Sequence, residues 1–130
     1  MVLVIHGGGW TNRSRADMEG ISRELMQQGY AVLNVNYRFA PRYTYPAQVR
    51  DLPHALEWIS ENADRYRLDL ERVNTWGYSS GAHLAALVGG IDHKQYLSSE
   101  TASIPRIRSV VAGGIPSDLR KYTGSPIVMR

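Results

Sequence analysis

The run Val2-Leu3-Val4-Ile5 is apolar without alternation and stops at His6 and three consecutive glycines. A strand with one wet face alternates between apolar and polar residues. An unbroken β-branched and leucine run is instead buried on both faces, as in a parallel sheet covered by helices. Such a strand requires further strands beside it and helices above and below, and the rest of the chain supplies them. After a polar turn, Met18, Ile21 and Leu25 keep helical spacing and Gly29 offers a left-handed stop, predicting a helix over residues 15–28. Residues 31–35 read as a second strand, followed by a loop through Tyr37, Arg38, Phe39, Ala40 and Pro41. Val49, Leu52, Leu56, Ile59 and Ala63 form one apolar stripe over residues 46–65, in which Pro53 predicts a kink or two short helices end to end. Residues 69–72 make a polar turn before a strand over 73–76. A small-residue helix over 80–88 is then closed by Gly89-Gly90, and residues 107–112 form a fourth strand. The alternation predicts an α/β class with a parallel sheet of about four strands, flanked by helices on both faces in three layers.

Charge and composition remove several functions. Fifteen Lys and Arg stand against 12 Asp and Glu, a net charge of +3, and 43% of residues are apolar, enough for a real core. The basic residues are scattered among carboxylates, so no stripe tracks a phosphate backbone and no nucleic-acid partner is expected. With no cysteine, disulfides, thiolate metal sites and cysteine nucleophiles are excluded, while the compartment stays open. The opening apolar run falls far short of the roughly 18 residues of a membrane span, and no span is expected elsewhere.

The most informative stretch is Gly77-Tyr78-Ser79-Ser80-Gly81, set where a buried strand ends and a helix begins. A serine on so sharp a turn is forced into strained backbone geometry, and Gly77 and Gly81 are needed because side chains there would meet neighbouring backbone. The helix starting beside Ser79 directs free N–H groups and a positive dipole end at the place where an oxyanion would form. The alternative is a glycine-rich turn whose serine merely caps the helix. A second element, His6-Gly7-Gly8-Gly9-Trp10, follows the first strand and so lies at the same carboxyl edge of the sheet, the side where open α/β sheets bind ligands. Consecutive glycines let backbone N–H groups approach an anion closely. The segment lacks the Lys-Ser/Thr ending of a P-loop and the spacing of G-x-G-x-x-G, which argues against nucleotide.

HGGGW, GYAVLNVNYRFAP at 29–41, YPAQVRD at 45–51, the Trp58–Ala63 segment and GYSSGAHLAAL at 77–87 occur in one order through nearly the whole chain. Together they resemble the α/β-hydrolase carboxylesterases, especially the hormone-sensitive-lipase-like and feruloyl-esterase-like groups. The resemblance implies a serine carboxylesterase acting on small-molecule esters, without metal or cofactor. It implies Ser79 as nucleophile and the backbone N–H groups of Gly8, Gly9 and Ser80 as the oxyanion hole. His6 and Gly7 would support the glycine loop, and Trp10, Tyr37 and Tyr78 are candidates to line the cleft. Many relatives carry Ala and then Gly-Gly where this chain has Ser80, Gly81 and Ala82.

In this fold the acid and the histidine of the triad follow the serine on later strand ends. After Ser79 the chain offers only His83 and His93, with Asp92, Glu100 and Asp118, and no histidine follows Asp118. His83, one turn into the elbow helix, is read as a packed structural residue rather than the base. Residues 1–130 are therefore expected to be one partial domain, the middle of a unit roughly twice as long, with the triad acid and His beyond its end. The family order places the strands second, first, third, fourth, leaving apolar edges on the outer two that favour self-association. The alternative function is a non-catalytic truncated hydrolase domain acting as a binding or assembly module.

Overall fold

The computed structural model describes residues 1–99 and 102–122. Four strands form one sheet: β1 (Val2–Ile5), β2 (Val32–Val35), β3 (Val73–Tyr78) and β4 (Ile107–Gly113). All pair in parallel, in the order β2-β1-β3-β4. The helices are α1 (Glu19–Gln27), α2 (Ala47–Glu61), α3 (Ala63–Tyr66) and α4 (Ser80–Gly90).

The period of two along β1 divides the core. Leu3 and Ile5 join Val49, Leu52, Leu56 and Ile59 of α2 and Leu84, Ala85 and Val88 of α4 in the larger cluster. Val2 and Val4 face the other way, onto Met18, Ile21 and Leu25. Both faces of β1 are thus covered, giving the three-layer α/β/α arrangement expected of the unalternated run. β4 is less protected. Val110 is 39% and Val111 49% exposed at the sheet's edge.

Three elements depart from expectation. The first helix opens as a 3-10 turn, Arg15–Met18, before α1. Ser14 Oγ accepts from the Ala16 N–H at 3.2 Å, and the Asp17 carboxylate accepts from the Ser14 N–H at 3.4 Å. Asn34 and Asn36 hold the same turn, through Asn34 Nδ2 to the Arg15 carbonyl and the Arg15 N–H to Asn36 Oδ1, both at 2.8 Å. The second is that α2 continues through Pro53 as one helix to Glu61 rather than dividing there, and beyond it the Trp58 carbonyl accepts from both the Asn62 N–H at 3.1 Å and the Asn62 side-chain amide at 2.9 Å. The third is that Gly89 and Gly90 stay inside α4 instead of ending it. A Cβ on Gly89 would lie 2.5 Å from Val110 Cγ2, so this glycine permits α4 to approach β4.

Candidate active site

Ser79 occupies the junction between β3 and α4 with φ 54° and ψ −121°, a conformation outside the regions side chains normally populate. The turn is held from several directions. The Ser79 N–H donates to the Gly113 carbonyl at 2.8 Å, and the His83 N–H donates to the Ser79 carbonyl at 3.2 Å, opening α4. A Cβ on Gly77 would collide with the Gly81 carbonyl, and one on Gly81 with the carbonyl oxygens of Ile5 and His6. The first turn of α4 therefore rests directly on the end of β1. Ser79 is half-buried, and its side chain makes no capping bond to α4.

The glycine loop abuts this elbow. A Cβ on Gly7 would lie 3.0 Å from the Tyr78 carbonyl oxygen and 3.2 Å from Ser79 Cβ. Gly8 and Gly9 have φ of 118° and 60°, the left-handed half of the map that glycine enters freely. Their peptides are anchored by the carbonyls. His6 Nδ1 lies 2.6 Å from the Gly7 oxygen. Because a carbonyl only accepts, Nδ1 carries the proton. The Gly8 carbonyl accepts from the N–H groups of Thr11 at 3.1 Å and Asn12 at 3.3 Å, and from the Thr11 hydroxyl at 3.2 Å. In a trans peptide the N–H points opposite to the C=O. Tying down the carbonyls of Gly7 and Gly8 thus turns the N–H groups of Gly8 and Gly9 away from their anchors, and among the described residues neither donates a hydrogen bond. The Ser80 N–H belongs to the first turn of α4, where helical geometry leaves donors unpaired.

His6 is fully buried, its ring stacked on Tyr37 at 4.5 Å and met edge-on by Phe39 at 5.7 Å. Desolvation holds its pKa below the ordinary histidine value, so it is neutral near pH 7, with Nε2 buried and unpartnered. His83 is also lowered by desolvation, with its buried Nδ1 lacking a partner, and Trp10 meets its ring edge-on at 5.4 Å. His93 follows the far end of α4, an 11-residue helix that spans about 16 Å. Its pKa is lowered by the same cause. Asp118 is paired with Arg120, which lowers its carboxyl pKa, and Asp92 accepts from the Lys94 N–H at 3.1 Å. Glu100 lies outside the described residues. Among the described residues, no histidine forms an ion pair with a carboxylate.

Of the three residues expected to line the cleft, only Tyr78 is open, at 57% exposure. Its ring lies over Gly113 and Gly114. Tyr37 and Trp10 are 5% and 8% exposed. Apolar rings flanked by a glycine loop and a helix gain more from packing there than from facing solvent. The Tyr37 hydroxyl is also engaged, 3.0 Å from the His6 carbonyl oxygen and 3.3 Å from Ser80 Oγ. Burial raises its pKa. Thr11, at the start of the polar turn before the first helix, holds the Gly8 peptide, and Gly113 holds the elbow. No spacing in the sequence marks either.

Comparison with known proteins agrees with this architecture. An arylesterase of Saccharolobus solfataricus is 32% identical over 108 residues, covering 81% of this chain and 35% of that protein. A solved structure titled bacterial heroin esterase is 37% identical with a TM-score of 0.63, over 65% of this chain and 27% of that one. A bifunctional GH43-CE protein of Bacteroides eggerthii superposes over 100% of this chain and 19% of its own, with a TM-score of 0.83 and 26% identity. The chain spans about a third or less of the length of the first curated relatives it matches. The BD-FAE family matches residues 1–126, far more than a shared motif, and the chain belongs to that family of α/β-hydrolase esterases.

Proposed function

We propose that this chain carries the nucleophile and oxyanion hole of a serine carboxylesterase acting on small-molecule esters. One observation carries the reading. Ser79 is held at φ 54° and ψ −121° without capping its helix, beside a loop whose Gly8 and Gly9 N–H groups have no acceptor among the described residues. A serine present only to start α4 would spend its hydroxyl on the helix and would gain nothing from a strained backbone.

In this reading Ser79 Oγ attacks the ester carbonyl carbon while its proton passes to a general base. The carbonyl oxygen becomes an oxyanion accepting from Gly8, Gly9 and Ser80 N–H. Collapse of the tetrahedral intermediate expels the alcohol, which takes up the proton, and water then releases the acid by the same route. Donors fixed before the reaction need no reorganisation, and losing one typically costs about 10²–10³ in kcat. The base and its carboxylate partner are assigned outside the described residues. His6 is occupied at Nδ1 and fully buried, and neither His83 nor His93 forms an ion pair with a carboxylate among the described residues. That same observation favours the second reading, a hydrolase domain retained as a binding or assembly module.

A fluorophosphonate probe separates the two. Esterase function predicts prompt labelling mapped to Ser79 by mass spectrometry, loss of labelling in Ser79→Ala, and hydrolysis of p-nitrophenyl acetate by the full-length protein. Neither labelling nor hydrolysis in the full-length protein would leave the module reading.

A further inference from the structure

The donors assigned to the oxyanion come from two separate segments, Gly8 and Gly9 after β1 and Ser80 at the start of α4. Their spacing matters as much as their orientation, because a misplacement of about 1 Å can cost 10²-fold in rate. Among the described residues, no main-chain hydrogen bond joins residues 6–9 to residues 79–82. They are in direct packing contact, Gly81 against the His6 carbonyl and Gly7 against Ser79, and one side chain from a third segment hydrogen-bonds to both. Tyr37, just beyond β2, places its hydroxyl 3.0 Å from the His6 carbonyl oxygen and 3.3 Å from Ser80 Oγ. The direction of both bonds follows from chemistry: the carbonyl can only accept, so Tyr37 O–H donates to His6, and its oxygen accepts from the Ser80 hydroxyl. The Tyr37 ring also stacks on His6 at 4.5 Å with 14° between planes, bracing the imidazole whose Nδ1 holds the Gly7 carbonyl. The whole assembly is buried, with Tyr37 at 5%, His6 at 0% and Ser80 at 1% exposure. Water cannot readily substitute for these bonds, so each is stronger than at a surface.

We propose that Tyr37 is a positioning residue that sets the distance between the two halves of the oxyanion hole, with the Ser80 hydroxyl as the second half of the clamp. This rests on the esterase reading. Tyr37 touches no reacting atom; it acts through the His6–Gly7 peptide and the first residue of α4. The clamp acts on the transition state more than on substrate, since the ester carbonyl needs no tight set of donors until it carries charge.

The test is Tyr37→Phe in the full-length protein, which keeps the ring stacked on His6 and removes only the hydroxyl. At a temperature well below melting, kcat on p-nitrophenyl acetate is expected to fall about 10- to 100-fold with KM within about twofold. Ser80→Ala breaks one of the two links and is expected to give a smaller fall. The double variant should match Tyr37→Phe alone, because both act through one clamp. A merely structural tyrosine would lower the melting temperature and leave kcat per folded molecule unchanged, and that result overturns the proposal. So does a double variant whose losses multiply. If Tyr37→Phe does not fold, Ser80→Ala decides alone, and an unchanged kcat overturns the proposal. A wild-type protein that neither turns over ester nor labels at Ser79 overturns the esterase reading and this one with it. An active wild type with an unaffected Tyr37→Phe removes this one only.

Discussion

The backbone of Ser79 provides a measurement of stored strain that does not depend on catalysis. Ser79→Ala and Ser79→Gly both delete the hydroxyl, but only glycine relaxes a residue at φ 54° and ψ −121°. Holding a side-chain-bearing residue in so sparsely populated a conformation costs about 1–3 kcal/mol. Glycine returns about 0.5–1 kcal/mol of that through the extra freedom of its unfolded state. The glycine variant is therefore expected to be more stable than the alanine variant by about 1.3 kcal/mol. For 130 residues the unfolding entropy near the midpoint is about 0.27 kcal/mol per kelvin, so the gap amounts to about 5 °C in melting temperature. Differential scanning calorimetry of the two variants in one buffer at pH 7.5 reads it directly. A glycine variant that melts with or below the alanine variant would show that the elbow is not strained, and would remove the main reason for reading Ser79 as more than a turn residue.

Further outcomes follow from the same geometry. Gly81→Ala drives a methyl into the carbonyl oxygens of Ile5 and His6, and is expected to destabilise by about 3 kcal/mol or more, seen as loss of cooperative melting; a shift under 3 °C would contradict the contact. His6, His83 and His93 are held below the ordinary pKa of 6.5 by burial, so the fold binds fewer protons than the unfolded chain. Their stability contribution is complete above about pH 6.5 and is lost as pH falls from there toward the folded values. Melting temperature should fall between pH 7 and 5, less so in His83→Gln, and a flat profile refutes the assignment. The depressed carboxyls Asp69 and Asp118 give up their contribution only below about pH 3.8, outside that window. The exposed valines of β4 predict self-association at micromolar concentration, reduced by Val111→Lys; a monodisperse monomer in light scattering for the unaltered chain would count against it.

The α/β class and the placement of both glycine motifs at one edge of the sheet were legible because each follows from local pattern plus the handedness of parallel crossovers, whereas the strand order came from the family resemblance. What escaped reading depended on contacts between distant segments. Pro53 signals a helix break by its missing N–H, but the stripe of Val49, Leu52, Leu56 and Ile59 is buried against the sheet, and that burial outweighs one lost hydrogen bond. Asn62 carries no such signal, and yet α2 gives way there to the short α3. Gly89 reads as a terminator by propensity, whereas its actual use is the close approach of Val110. Tyr37 was recognisable as an aromatic residue near a strand end. Nothing in its neighbours marks its burial or its hydrogen bonds, because the partners, His6 and Ser80, are 31 and 43 residues away.

The two segments that meet at the elbow issue from β1 and β3, which lie side by side in the interior of the sheet with β2 and β4 outside them. The elbow and the glycine loop are therefore built from the part of the molecule least able to drift. Changes on the flanks away from Tyr37 leave Ser79 and the N–H groups of Gly8, Gly9 and Ser80 in fixed relation.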